Sequence, residues 1–224
     1  MRHTSFLMLC LICLFLGQFT LIVEAQGQSV KQIEVALLTY NRGKTAVCFA
    51  TKFLDLAARK AKIDVSRSLH KIPLEESDLS NHPLVIFSGD LRFKLSDQEM
   101  TNLKNYMQKG GFVIATAGCS NEVWNASFKK MIKKMLPNAK LVPLTMKHPV
   151  FHTLYDLKQL NSTKSKKTPI LYGLKINGRL AMIYSPVGLN DTAHAGGDCC
   201  CCGGEEILQS HLVNANILAY VLTH

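Results

Sequence analysis

Three short segments of this chain are almost wholly apolar: 33–40, 83–88 and 112–117. A strand with one face in water alternates apolar and polar side chains, whereas a strand buried on both faces does not. Runs of this length without alternation therefore read as strands of a parallel sheet covered on both sides. Between them lie stretches with helical spacing. Residues 44–62 place Val47, Phe49, Phe53, Leu54, Ala57 and Ala61 on an apolar surface. Residues 63–69 read as a further strand. Ser96-Asp97-Gln98-Glu99 is a capping box, in which the Ser side chain takes a free amide and the Glu reaches back. Met100, Leu103 and Met107 then share one face, and Gly110-Gly111 ends that helix. A third helix is expected over 122–136, with Trp124, Phe128 and Met131 inward and Pro137 as its stop.

This succession implies an α/β fold whose mostly parallel sheet carries helices on both faces. The remainder of the chain differs. Segments 169–176 and 179–185 flank Asn177-Gly178, a strong hairpin signal. A polar loop rich in Gly and Cys spans 188–204, and a final helix is expected from Glu205 onward. Residues 26–224 read as a single domain.

The first 25 residues stand apart. Arg2 and His3 precede an apolar run from Phe6 to Val23, and Val23-Glu24-Ala25 places small residues at the −3 and −1 positions. Residues 1–25 thus read as a secretory signal peptide, which predicts a periplasmic or extracellular protein. The alternative is a retained membrane anchor, at the lower edge of spanning length. That segment would be the chain's only membrane contact. The 47% hydrophobic content, without heptads or repeats, excludes collagen, coiled coil and full disorder. The net charge of +10 suits an anionic surface or cell-envelope partner, or simply a solvated basic face. Export disfavours nucleic acid.

Of eight cysteines, Cys10 and Cys13 fall within the signal. The others are Cys48, Cys119 and the run Cys199, Cys200, Cys201, Cys202. Four consecutive cysteines do not read as a disulfide scaffold, and a domain of this size needs no staples. The run has three readings: a packed or disulfide-bonded loop, a metal or thiol site, or a nucleophile. One contiguous run cannot easily set four sulfurs tetrahedrally around an ion. Two of them with His194 or His211 can, for zinc or another thiophilic metal. If the last helix starts at Glu205, Cys201 or Cys202 lies near its positive end, which lowers a thiol pKa.

Cys119 follows the 112–117 strand and precedes a helix, the placement of a nucleophile elbow. Its general base would be His148, which Pro149 forces out of helical geometry. In open α/β sheets ligands bind beyond the carboxyl ends of the strands. Tyr40, Asp90 and Cys119 fall at such ends. With His148 and Arg179, a candidate carboxylate binder, they define an expected ligand crevice.

Several segments together carry a resemblance: Val35 to Tyr40; Pro83 to Gly89 with Phe93 to Ser96; Tyr106 to Ala115 through Gly110-Gly111; Leu136-Pro137; His148-Pro149; Gly178 to Ser185; and Asn216 to Tyr220. In order and spacing the chain resembles the family catalogued as domain of unknown function 4159, found largely in bacteria. That resemblance implies a class I glutamine amidotransferase-like fold, a flavodoxin-like three-layer sandwich with a C-terminal β-hairpin and final helix. It supplies no activity. Enzymes of that superfamily place a Cys near Thr116 or Ala117, so Cys119 comes two or three residues late. Some members carry a Cys- and Gly-rich segment before the last helix.

The expectation is an exported, non-catalytic ligand-binding or interaction module. The alternatives are a hydrolase or amidase-like enzyme using Cys119 and His148, and a metal or thiol-redox protein centred on Cys199–Cys202.

Overall fold

The apolar runs form the centre of one sheet. In the computed structural model they become β1 (Val35–Thr39), β3 (Leu84–Gly89) and β4 (Phe112–Ala117). The structure describes residues 32–41, 45, 48–75, 78–196, 199 and 204–224. The expected signal peptide and Cys200–Cys202 lie outside the described residues. Four further strands complete the sheet: β2 (His70–Pro73), β5 (Leu141–Pro143), β6 (Tyr172–Ile176) and β7 (Arg179–Ser185). Their order is β2-β1-β3-β4-β7-β6-β5. The first five of that order pair in parallel. β6 and β5 are antiparallel to their neighbours, so the sheet is mixed.

Among the described residues four α-helices, α1 (Lys52–Ala61), α2 (Asp97–Gln108), α3 (Glu122–Met135) and α4 (Ser210–Thr223), cover it. Successive strand residues point to opposite faces. Val35, Leu37, Leu84 and Ile86 therefore pack with Phe53 and Leu54 of α1 and Ile217 and Leu218 of α4. Ala36, Leu38, Val85 and Phe87 pack on the other side with Leu103 of α2 and Trp124 and Phe128 of α3. All six residues of β3 and of β4 are buried, each large apolar one contributing roughly 1.5–3 kcal/mol. None of the helices among the described residues is long and apolar enough to cross a membrane.

The capping box at Ser96 forms as read, with Glu99 N–H donating to Ser96 Oγ and Ser96 N–H donating to Glu99 Oε2. The β6–β7 turn holds Asn177 and Gly178 at φ 51° and 80°, the left-handed pair a two-residue hairpin requires.

Three boundaries differ from expectation. α1 starts at Lys52 instead of 44, because the preceding segment pairs with a distant loop. Ala50 N–H donates to Asn190 O at 2.9 Å, and Asn190 Nδ2 donates to Cys48 O at 2.6 Å. The strand expected over 63–69 is reduced to one bridge, Ile33 with Val65. Ser66 bonds locally to Ser68, and the pairing strand is His70–Pro73. The last helix starts at Ser210 instead of Glu205. Residues 205–207 are held extended by Gly188 N–H to Glu205 O, Ile207 N–H to Gly188 O and Thr163 N–H to Glu206 O. The final helix therefore begins five residues later than expected. β5, an exposed edge strand, extends the antiparallel part beyond the expected hairpin.

Candidate metal centre

The residues of the expected crevice divide between opposite edges of the sheet. Tyr40, Asp90 and the Cys119 backbone follow the carboxyl ends of β1, β3 and β4. Tyr40 is buried, and its hydroxyl donates to Ser88 O at 2.9 Å and accepts from Trp124 Nε1 at 2.7 Å. Burial drives the phenol pKa far up. Tyr40 is thus a core strut, not a ligand contact. Asp90 stands beside Gly118, within reach of the turn that holds Cys119. Ser120, at φ 56° in that turn, ties the edge together: its Oγ donates to Glu205 O at 2.5 Å and accepts from Gly188 N–H at 3.2 Å.

His148 and Arg179 lie at the amino edge. The His148 ring is 5.7 Å from that of Tyr220, which in turn packs 6.4 Å from Phe112 at the start of β4. Arg179 Nη2 donates to Met107 O at 2.7 Å and Gly111 O at 3.0 Å, so its guanidinium is engaged by backbone. β4 runs between the two edges at about 3.3 Å per residue. Cys119 and His148 are therefore separated by on the order of 20 Å, and the expected nucleophile–base pair does not form.

A different group converges at the carboxyl edge. After β7 the chain is anchored by Leu189 N–H donating to Thr116 Oγ1 and by Asn214 Nδ2 donating to Leu189 O. Asp191 follows in the left-handed region at φ 56°, a conformation Asp tolerates better than most residues. It opens a single 3-10 turn, Thr192–His194, which brings His194 back over it. His211, in the first turn of α4, reaches the same carboxylate.

One ligand atom from each of Asp191, His194 and His211 lies within 4.8 Å of the others. Asp191 Oδ1 is 2.9 Å from His194 Nδ1 and 3.4 Å from His211 Nδ1. Zinc bonds of about 2.0–2.1 Å in tetrahedral array set neighbouring ligand atoms about 3.3 Å apart; the two Asp191 spacings lie near that value, and the two histidine ligand atoms lie within 4.8 Å of each other. The two imidazole rings are 4.9 Å apart. Asp191 is 4% exposed, yet its Oδ2 has no hydrogen-bond partner, and the buried His211 Nδ1 has only its 3.4 Å ion-pair contact with Asp191 Oδ1, outside hydrogen-bond geometry. Leaving such atoms unpaired costs free energy that a bound cation would offset. Burial holds His211 below the ordinary imidazole pKa, which keeps its lone pair free at neutral pH.

Around the three ligands, Glu206 Oε2 accepts from Thr192 N–H and Oγ1 at 2.9 and 3.0 Å, while Oε1 is buried and unpartnered. Burial, and secondarily the Asp191 charge, raises the Glu206 pKa. Lys52 Nζ lies 2.6 Å from His194 Nε2. Cys48 and Cys199 form a disulfide, Cα to Cα 5.4 Å, which corrects the expectation that this domain needs no staple and removes Cys199 as a thiolate ligand. A cavity of about 280 Å³ opens between His194, Thr51, Gly196 and the disulfide. Of this centre, His194 and His211 are candidates by residue type from sequence. Asp191, Lys52 and Glu206 are not; the one available signal is the Asp191-x-x-His194 spacing, which a tight turn folds together.

The chain belongs to the family described as domain of unknown function (DUF4159), whose family model matches residues 34–222. No curated protein matches it in sequence. Among solved structures it is similar to a ThuA-like protein of Bacteroides uniformis, at 14% identity and a TM-score of 0.39, over 85% of this chain and 91% of that one. A ThuA-like protein of Parabacteroides merdae shares 12% identity at a TM-score of 0.42, over 84% and 90%. Alpha-L-fucosidase isoenzyme 2 of Paenibacillus thiaminolyticus shares 12% identity at a TM-score of 0.35, over 85% of this chain and 32% of that one.

Proposed function

We propose that this DUF4159 chain is an exported metal-binding domain, non-catalytic in itself, that holds one divalent ion between Asp191, His194 and His211. The observation that carries this reading is the buried Asp191 carboxylate with an unpartnered oxygen, set against two imidazole nitrogens. Two imidazoles and one carboxylate suit zinc or ferrous iron better than calcium or magnesium. Three protein ligands leave a coordination position for an exchangeable ligand, unlike the four-ligand sites that only brace a fold.

Export is supported by the N-terminal pattern and by the Cys48–Cys199 disulfide, since such bonds persist in oxidising compartments. The order β2-β1-β3-β4-β7 supports a flavodoxin-like, amidotransferase-like arrangement, in which ligands gather at the carboxyl edge. The +10 charge supports an anionic envelope surface as partner.

The test is zinc titration by calorimetry on the disulfide-intact chain, with free thiols alkylated so that Cys200–Cys202 cannot contribute. One ion per chain is expected, lost in His211→Ala and weakened in His194→Ala. Absence of binding, or binding indifferent to both substitutions, would overturn the proposal.

A further inference from the structure

We propose that loading the metal creates a binding site for a small oxyanion, carboxylate or phosphate in type, held jointly by the ion and the Lys52 ammonium. This rests on the metal reading above. A neutral imidazole carries one ring hydrogen. Asp191 as a carboxylate only accepts, so His194 Nδ1, 2.9 Å away, carries that hydrogen. Lys52 only donates, so His194 Nε2, 2.6 Å away, accepts. Both contacts of the metal-free protein are satisfied by this one tautomer.

An ion bound at Nδ1 reverses the ring. The hydrogen moves to Nε2, which becomes a donor facing a donor. The Lys52–His194 hydrogen bond is lost, and the ammonium must find another acceptor. Among the described residues no carboxylate pairs with Lys52. It is the first residue of α1, whose N-cap Thr51 makes no side-chain cap hydrogen bond, so the helix's positive end adds to the same field.

The open side of the centre lies at His194. Its side chain is 35% exposed, against 5% for Asp191 and 19% for His211. The adjoining cavity, about 280 Å³, is smaller than the roughly 300–1,000 Å³ of pockets for drug-sized molecules. A divalent ion that meets one ligating carboxylate keeps a net positive charge, and Lys52 adds another. A small oxyanion fills the open coordination position, accepts from the released ammonium and fits the space.

The experiment uses the full chain loaded with cobalt(II), whose visible absorption reports its coordination, titrated with inorganic phosphate and, separately, acetate. A saturable shift of the cobalt band is expected with at least one of them. Lys52→Met should bind cobalt as tightly as the parent or more so, because no hydrogen bond is lost on loading. Its anion affinity should fall by about tenfold or more, the scale of one charge-assisted contact, and Lys52→Arg should recover most of it. A band that neither anion moves, a band that fades to that of free cobalt, or a Lys52→Met titration matching the parent overturns the inference. A chain that binds neither cobalt nor zinc overturns the metal reading beneath it instead.

Discussion

The Asp191 carboxylate lies 3.4 Å from His211 Nδ1, although a glycine- and cysteine-rich loop separates the two in sequence. The contact exists because Asp191 is turned into the left-handed region while α4 starts late, at Ser210. Asparagine tolerates that backbone equally, so Asp191→Asn separates ligation from folding. Zinc affinity should fall about 100-fold or more, since loss of even a supporting group costs 10–100-fold. The unfolding free energy of the metal-free protein should stay within about 1 kcal/mol of the parent, since a neutral amide is easier to bury. Calorimetric titration and denaturant unfolding on the same samples check both halves.

Two groups at the centre give opposite pH dependences to the metal-free protein. The folded pKa of Glu206 is raised by burial. Its contribution to stability is therefore full below the ordinary Glu value and is lost as pH rises through the raised value. The folded pKa of His211 is lowered by burial. Its contribution is full above the ordinary His value and is lost as pH falls toward the lowered one. Glu206→Gln should gain stability relative to the parent as pH rises from about 4 to 7, and His211→Ala should show a weaker loss on acidification. Urea unfolding across that range measures both slopes. Zinc release should follow acidification, because imidazole ligands must be neutral to bind.

The Cys48–Cys199 disulfide closes a separation of 151 residues. Constraint of the unfolded chain over such a loop contributes about 3–5 kcal/mol. Cys48→Ser should lower the unfolding free energy by that order and leave the sheet intact, since Ala50 and Asn190 still pair. Denaturant unfolding with a circular dichroism readout tests this. A loss well under 1 kcal/mol would mean that the unfolded chain gains little freedom when the link is removed.

What was legible in the sequence is what repeats locally. β1, β3 and β4 announce themselves because both faces are buried, and the Ser96 box and the Asn177-Gly178 turn are complete within a few residues. β2 and β5 are edge strands with mostly exposed side chains, so they carry no apolar signature. The starts of α1 and α4 are set by partners far along the chain: Asn190 for one, Gly188 and Thr163 for the other. The metal centre is illegible for the same reason. His194 and His211 stand out by type, but Asp191 becomes a ligand only through its left-handed turn. Lys52 enters only because α1 docks beside that turn. Arg179 shows the converse: a guanidinium free to read as an anion binder in sequence is spent on Met107 and Gly111 carbonyls in the fold.

That use of Arg179 is itself testable. Beyond a bond to the neighbouring Leu180 O, its guanidinium donates to Met107 O and Gly111 O, which joins the end of α2 and the turn after it to the start of β7. Arg179→Ala should lose roughly 1–3 kcal/mol of stability, the scale of hydrogen bonds to a charged group. Zinc affinity should not change, because the amino edge lies a full strand length from Asp191. Paired unfolding and metal titration would show an effect on binding if the two edges were coupled.

Among the described glycines, Gly89 leaves the least room for a Cβ. A Cβ built there would lie 2.1 Å from Tyr40 Oη and 2.8 Å from Trp124 Nε1, inside the hydrogen bond those two groups share. Neither is the loose end of a flexible chain. Tyr40 also donates to Ser88 O, and Trp124 stacks on Phe128 with ring centroids 5.3 Å apart. Gly89→Ala must therefore break the buried hydrogen bond or displace the aromatic layer, at a cost of about 3 kcal/mol or more. Tyr40→Phe removes only the hydroxyl and should cost about 1–2 kcal/mol, leaving Trp124 without an acceptor but the packing in place. In the double variant the Cβ meets no hydroxyl, so the combined loss should fall short of the sum of the two single losses. Denaturant unfolding of the three variants decides the matter: strict additivity would place the clash somewhere other than the Tyr40 hydroxyl.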